Sequence, residues 1–468
     1  MAETPGTVFL NGTRAENDLD GGGYGLIIQG SFIRIDGLSL SNYSVAMSVE
    51  GDSEGNVHHQ EFFRCEFRSN GGVGLQNVRN DFVLVSECRF IDDYSPDPEG
   101  AYSVQDYGVN FYWNSHIRVE DCYFFGNHHQ CVSFKKNNTD GLITGCVFEG
   151  ARYSAIFFGQ DEIPARFCED LIAEYNIVRP AVGHPVKTPV NCANVRNAIV
   201  RNNYFEGFDG AEATGRSGAI LIWNTAAGTQ QVYGNILAFT SQRPGLIIEE
   251  GVADSIMVFN NTLHSLDTDA YVNLPNHLLV ANNLSSECSG SHLQDHEPCF
   301  AGDLLFAGPV IQQPYADAPR QIDHDTYFTL LTEPFELSAA SPCIDTGVDL
   351  GLLPFSGTAP DMGALEYDLL SANLPVSPAF RVKNYPNPFN PRTVISYRLS
   401  GSAKVTLDIY DARGRHIRSL VDGMMPAGSR NHVWDGTDDE GLGVGTGVYF
   451  YRGEVGREIF QGKMLLVK

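Results

Sequence analysis

The sequence predicts an all-β chain built mainly as a stacked β-solenoid, and three observations predict it. Short runs alternating apolar and polar residues, such as 117–124 and 131–135, flank a polar turn around Gly126-Asn127 that is too short for a crossover helix. The pattern recurs along the chain with a period of roughly 22–34 residues, the one-dimensional signature of stacked coils. Forty-eight glycines and only seven methionines accompany the Ile/Val/Phe runs, and no long segment carries a helical period.

Composition divides the chain. The 468 residues carry a net charge of −26, which argues against nucleic acid and against an anionic membrane surface as partners. Residues 1–377 hold 18 Lys+Arg against 48 Asp+Glu, whereas 378–468 hold 13 against 9. That step from acidic to basic marks a domain boundary. The expected organisation is a solenoid over 1–370, a linker over 371–379 (S-A-N-L-P-V-S-P-A), and a small strand-rich module over 380–468. No apolar run approaches transmembrane length, and no signal peptide is evident at Met1-Ala2-Glu3-Thr4.

Within the solenoid, aligning the first strand of each repeat gives one column. It runs Cys65, Cys88, Cys122 and Cys146, then Asn176, Asn203, Asn235, Asn261 and Asn283. Equivalent positions in stacked coils sit about 4.8 Å apart, so the column reads as buried thiols followed by a hydrogen-bonded amide ladder. The cysteines lack CxxC metal spacing and are expected as free core thiols. Cys288 and Cys299, in a loop-like stretch, are the disulfide candidates.

The second strands align as Met47-Ser48-Val49, Val73-Gly74-Leu75, Val109-Asn110-Phe111, Val132-Ser133-Phe134, Ile156-Phe157-Phe158, Val190-Asn191-Cys192 and Ile220-Leu221-Ile222. With period-2 alternation, the outer members of each triplet face inward. The next residue then faces out: Glu50, Gln76, Tyr112, Lys135, Gly159, Ala193 and Trp223.

These repeats resemble the right-handed parallel β-helix of pectate lyases, polygalacturonases, alginate lyases and many bacterial surface proteins. The resemblance implies about nine to ten coils. S-P-C-I-D-T-G (341–347) and A-P-D-M-G-A-L-E-Y (359–367) resemble the closing segment of secreted bacterial β-helix proteins. N-Y-P-N-P-F-N-P (384–391), V-T-L-D-I-Y-D-A-R-G-R (405–415), G-V-Y-F-Y (447–451) and K-M-L-L-V-K (463–468) resemble the immunoglobulin-like C-terminal sorting domain of type IX (Por) secretion substrates. That likeness implies export, to the cell surface or the medium, with the secretion machinery as a partner.

Three constellations could carry chemistry. A basic strip gathers on one edge: Lys135 and Lys136, the only adjacent lysines, with His128, His129, Arg152, Lys187 and Arg216 at matching places before the second strands. In so acidic a domain, such a strip suggests an anionic ligand such as a uronate chain; solvated turn charges are the structural alternative. Tyr112 and Trp223, on the outward column, could stack on sugar rings. The acidic insert at 92–99, with Asp92, Asp93 and Asp97, followed by Asp106, could hold Ca²⁺, though it lacks the EF-hand pattern. Asn138-Thr139-Asp140-Gly141 resembles the N-T-D motif of polygalacturonases but lacks that family's other motifs, and it reads as a turn.

The functional expectation is a polysaccharide lyase acting by β-elimination on a uronate-containing polymer, as a monomer. Lys135, Arg152 and His129 are the expected catalytic groups, and Tyr112, Lys136, Lys187, Arg216, Trp223 and His128 the expected substrate-binding ones. Q-C-V-S-F-K-K (130–136) is similar to the strand carrying the base Lys of alginate lyases related to chondroitinase B, without that family's Glu and Arg at matching positions. An inverting glycoside hydrolase, a carbohydrate-binding module and a surface adhesin are the alternatives.

Overall fold

The computed structural model describes residues 8–11, 23–51, 58–70, 72–91, 107–127, 129–159, 167–181, 186–208, 218–225, 228–239, 243–251, 255–264, 266, 268–273, 278–286, 324–332, 335–337, 341, 343–353, 355 and 357–365, and then 382–385, 391–399, 403–411, 414–425, 428–455 and 458–466. The chain divides into two units at Tyr367/Asp368.

The first unit is a parallel β-helix. One sheet runs through ten successive strands, from Ile33–Asp36 to Leu278–Ala281, each paired in parallel with the strand one coil away. Most described coils carry three strands rather than the two read from the sequence; in the coil after Lys135 the second and third run together as Val147–Gly159. In the coil around Lys135 these are Ser115–Glu120, Tyr123–Asn127 and Gln130–Lys135. The expected single run over 117–124 breaks at Asp121, which takes φ 53°, as do its counterparts Arg64, Glu87, Tyr175 and Asn202 within a few degrees. These left-handed turns are single residues, and several of them, such as Arg64, Glu87 and Tyr175, are not turn-forming types, so alternation alone reads through them.

The residue after each of these turns is the predicted column, and it is buried throughout. The Sγ atoms of Cys88, Cys122 and Cys146 donate to carbonyls of the preceding coil at 3.5–3.7 Å. From Asn176 onward, each amide oxygen accepts the backbone N–H of the coil before it: Asn203 from Asn176 at 2.9 Å, Asn235 from Asn203 at 3.1 Å, Asn261 from Asn235 at 3.0 Å. A second ladder was not foreseen. Asn80, Asn114 and Asn138 link in the same way at 2.8 and 2.9 Å, so Asn138 of the N-T-D stretch is a structural rung. A file of Phe67, Phe90, Phe124 and Phe148, stacked at 4.8 Å, fills the interior beside the cysteines.

The register corrects one alignment. Leu75-Gln76-Asn77, not Val73-Gly74-Leu75, lies against Met47-Ser48-Val49, so Val78 and not Gln76 shares the column of Glu50, Tyr112 and Lys135.

A nine-residue helix, His324–Thr332, was also absent from the sequence reading. Tyr327, Leu331 and Phe335 pack on the outside of the β-helix against Tyr123, Val147, Ile177 and Tyr204. The contact also contains charge: Arg179 pairs with Glu206 at 2.8 Å and donates to the Tyr327 hydroxyl, while Tyr123 donates to Glu149 at 2.8 Å. Burial, with the neighbouring carboxylates, pushes the Tyr327 phenol up to about 12.

Seven described cysteines are free and buried, and Cys343 is disulfide-bonded. Cys288 and Cys299 lie outside the described residues. The second unit forms an antiparallel sheet of Val382–Tyr385, Thr393–Leu399 and Gly428–Trp434, and another of Ala403–Asp411, His416–Met425, Gly447–Val455 and Glu458–Leu466. They enclose a core that includes Trp434, Ile395, Leu407, Tyr451 and Met464, an immunoglobulin-like sandwich.

Two outcomes follow. Burial holds the thiols of Cys88, Cys122 and Cys146 well above the ordinary range, so a thiol reagent should leave them unmodified in the native protein and label them only after unfolding. Asn203→Ala strips donors from the carbonyls of Ala173 and Arg201 and an acceptor from Asn176. It should cost at least about 3 kcal/mol, read from the urea midpoint, with Asn203→Cys costing less because the same column accepts thiols in lower coils.

Candidate functional site

The outward faces of the strands Tyr107–Tyr112, Gln130–Lys135 and Val147–Gly159, with Val186–Ala193 and Ile220–Thr225 beyond them, make the candidate site. Val132 and Phe134 lie in the core with no exposure, so the alternating Ser133 and Lys135 sit on the other face. Lys135 is half-buried there rather than exposed. Its Nζ donates to the Tyr107 hydroxyl at 2.6 Å and lies 4.6 Å from the centre of that ring and 5.5 Å from that of Phe157. The lysine is thus held by aromatic rings of the coils on either side, an arrangement that fixes the position of the amine.

The column before these strands assembles as expected in part. His129 stacks on Tyr153 at 4.8 Å, and the Lys187 Nζ lies 4.9 Å over the same ring. Lys187 is 9% exposed. Burial first, and then the charge of Arg243, hold its amine below the ordinary lysine range. His128, Arg216 and the Arg152 side chain lie outside the described residues, as do Asp92, Asp93, Asp97 and Asp106. Among the described residues, no group of three or more His, Cys, Asp or Glu side chains could hold a metal ion.

At the far end of the strand, Lys136 turns at φ 59° and places its Nζ 5.3 Å from the rings of both Tyr112 and Trp113. Tyr112 shares the outward column with Lys135, is half-buried, and accepts a hydrogen bond from Asn110 at 2.9 Å. Trp223 occupies that column further along and donates through Nε1 to Asn191 at 2.9 Å. Both aromatics therefore have polar partners on the same face. Asp140 of the N-T-D stretch pairs instead with Arg118 at 3.1 Å and belongs to a different sheet.

Sequence reasoning missed Tyr107, Tyr153 and Phe157. Their signal was an aromatic at an outward position of the repeat, visible only once the coils are registered.

The family described as right handed beta helix region matches residues 7–179. The first unit is a right-handed β-helix. An FlgD Ig-like domain matches residues 390–452, within the second unit. No curated protein matches the chain. Among solved structures, the chain is similar to dimeric latent PorU from Porphyromonas gingivalis at 26% identity and TM-score 0.17, over 18% of this chain and only 9% of PorU. It is similar to pectate lyase Pel9A at 14% identity and TM-score 0.38, over 77% of each chain. The DFA-IIIase of Arthrobacter chlorophenolicus A6 is similar at 13% identity and TM-score 0.29, over 61% of this chain and 66% of that one. These scores speak to neither activity nor substrate.

The depressed pKa of Lys187 carries a sign. Between the folded and unfolded pKa values the unfolded chain binds more protons, so stability rises with pH across that window, below the ordinary lysine value. Lys187→Met should flatten that rise in thermal melts taken from neutral to alkaline pH; an unchanged slope would place the shift elsewhere.

Proposed function

We propose that this is an exported carbohydrate-active β-helix protein that cleaves a uronate-containing polysaccharide by β-elimination, with Lys135 as the base. Export through the type IX machinery is the reading of the second unit. The observation that carries the catalytic reading is the Lys135–Tyr107 hydrogen bond on the outward face. β-Elimination needs a group that takes the C5 proton and another that gives a proton to the leaving O4. The neutral Lys135 amine takes the first, the C4–O4 bond breaks as C4=C5 forms, and the Tyr107 hydroxyl protonates O4. The proton on Lys135 then returns to Tyr107 through their hydrogen bond, so the pair ends as it began.

The C5 proton is weakly acidic until a cation neutralises the developing charge on the uronate carboxylate. Lys187, on a nearby coil, is the described side chain suited to that work, beside Arg152, Arg216 or a Ca²⁺ on the acidic insert. The hydrolase alternative needs two carboxylates at opposed positions. In the outward column that contains Lys135, the positions Tyr112, Gly159, Ala193 and Trp223 carry no Asp or Glu, and Glu249 follows one coil beyond Trp223, so no carboxylate of that column flanks Lys135 directly, which favours the amine base.

The test is a panel of pectin, alginate and chondroitin, read by ultraviolet absorbance of an unsaturated product. Lys135→Met and Tyr107→Phe should each lower turnover by about a hundredfold or more. Reducing ends without absorbance would mean hydrolysis. A Lys135→Met protein that cleaves as fast as wild type would remove the base from this site.

A further inference from the structure

The turns that follow the strands of the Lys135 face carry a cationic group in an otherwise acidic unit. Arg79, Trp113 and Lys136 occupy equivalent turn positions in three successive coils, at φ 56°, 56° and 59°. The Arg79 guanidinium carbon lies 5.0 Å from the centre of the indole ring, and the Lys136 Nζ lies 5.3 Å from it. The same Nζ is 5.3 Å from the ring of Tyr112, which pairs with Lys135 by register, so the group borders the proposed base. Arg79 is exposed, and Trp113 and Lys136 are partly so.

The buried ladder beneath holds these turns in place. Asn80, Asn114 and Asn138 each donate to the carbonyl just before the turn: Val78 at 3.0 Å, Tyr112 at 3.1 Å and Lys135 at 2.6 Å. The backbone that carries the cations is therefore fixed before any ligand arrives.

Charge pairing sets these cations apart. Arg34 pairs with Glu61, Arg64 with Asp36, Arg118 with Asp140, Arg179 with Glu206 and Arg201 with Glu174. Among the described residues, neither Arg79 nor Lys136 has a carboxylate partner. Glu50, opposite Val78, accepts from Ser48 at 3.3 Å instead. Arg196 is the like case, packed 3.5 Å over Phe167, but at Trp113 two cations share one ring.

Two positive charges against one ring repel each other, and contact with the ring uses none of their N–H donors. Residues 1–377 hold 48 acidic side chains against 18 basic ones, yet none of the described acids is placed here. An anion from outside relieves the repulsion and takes the donors: a guanidinium grips a carboxylate or sulfate with two N–H groups, and an ammonium adds a point charge. We infer that Arg79, Trp113 and Lys136 form a second acid-binding subsite, which takes a carboxylate or sulfate on a sugar other than the one at Lys135. The substrate is then a chain that is acidic at more than one sugar. This rests on the reading of the Lys135 face as the saccharide site.

The experiment uses the full chain and two probes, tetragalacturonate and a sulfated chondroitin tetrasaccharide, with dissociation constants from calorimetry at low and high salt. Arg79→Met/Lys136→Met keeps apolar stems against Trp113 and should melt within about 2 °C of wild type. It should bind at least one probe about tenfold more weakly or worse, with a smaller salt dependence. Loss confined to tetragalacturonate assigns the subsite to carboxylate, and loss confined to the chondroitin probe assigns it to sulfate. Lys136→Arg keeps the charge and should bind both probes within about threefold of wild type. Undiminished binding of both probes by the double variant, or weaker binding with unchanged salt dependence, would overturn the subsite while leaving Lys135 in place. Binding of neither probe by wild type would overturn the saccharide reading beneath it, and the subsite with it.

Discussion

One interaction repeats through the β-helix and the rest depends on it: a side chain just after a left-handed turn bonds to the backbone of the neighbouring coil. In the later coils it is an asparagine whose oxygen takes the previous ladder residue's N–H and whose amide donates back to carbonyls such as Ala173 and Val200. In the earlier coils it is a cysteine, which fills the same space and makes the weaker thiol bond. Because side chains in a strand alternate, a slip of one residue would exchange core and surface throughout a coil. The ladder forbids that slip. Which residues share the outer face with Lys135 is decided inside the barrel, not on the face itself.

This explains what the sequence disclosed. The Cys-then-Asn column was legible because chemically identical residues recur at one place in every repeat. The third strand was not, because its turn is a single residue, at Arg64, Glu87 and Tyr175 not a turn-forming type, and one residue leaves no cluster of turn formers to mark the break. The same gap misplaced Gln76: the triplet pattern fitted at two registers, and only the buried Asn77, opposite Val49 and Phe111, distinguishes them. The helix His324–Thr332 escaped notice because nine residues give too little periodicity to register.

The candidate site was legible as a set of positions and not as an arrangement. Lys135, Tyr112 and Trp223 fell on one column as the alternation required. That Lys135 lies between Tyr107 and Phe157 depends on contacts between coils 20 to 30 residues apart, which no local pattern encodes. Lys187 was chosen for its charge, yet its chemical distinction is burial, which lowers its pKa.

The central claim is that the ladder-set register gathers a saccharide site on the outer face around Lys135. It is tested most directly by a crystal structure of the Lys135→Met protein soaked with an acidic oligosaccharide. The account predicts sugar density along the face from Tyr107 to Trp223, with a uronate ring against position 135. Density confined to another sheet or to the exposed turns, with that face unchanged, would contradict it.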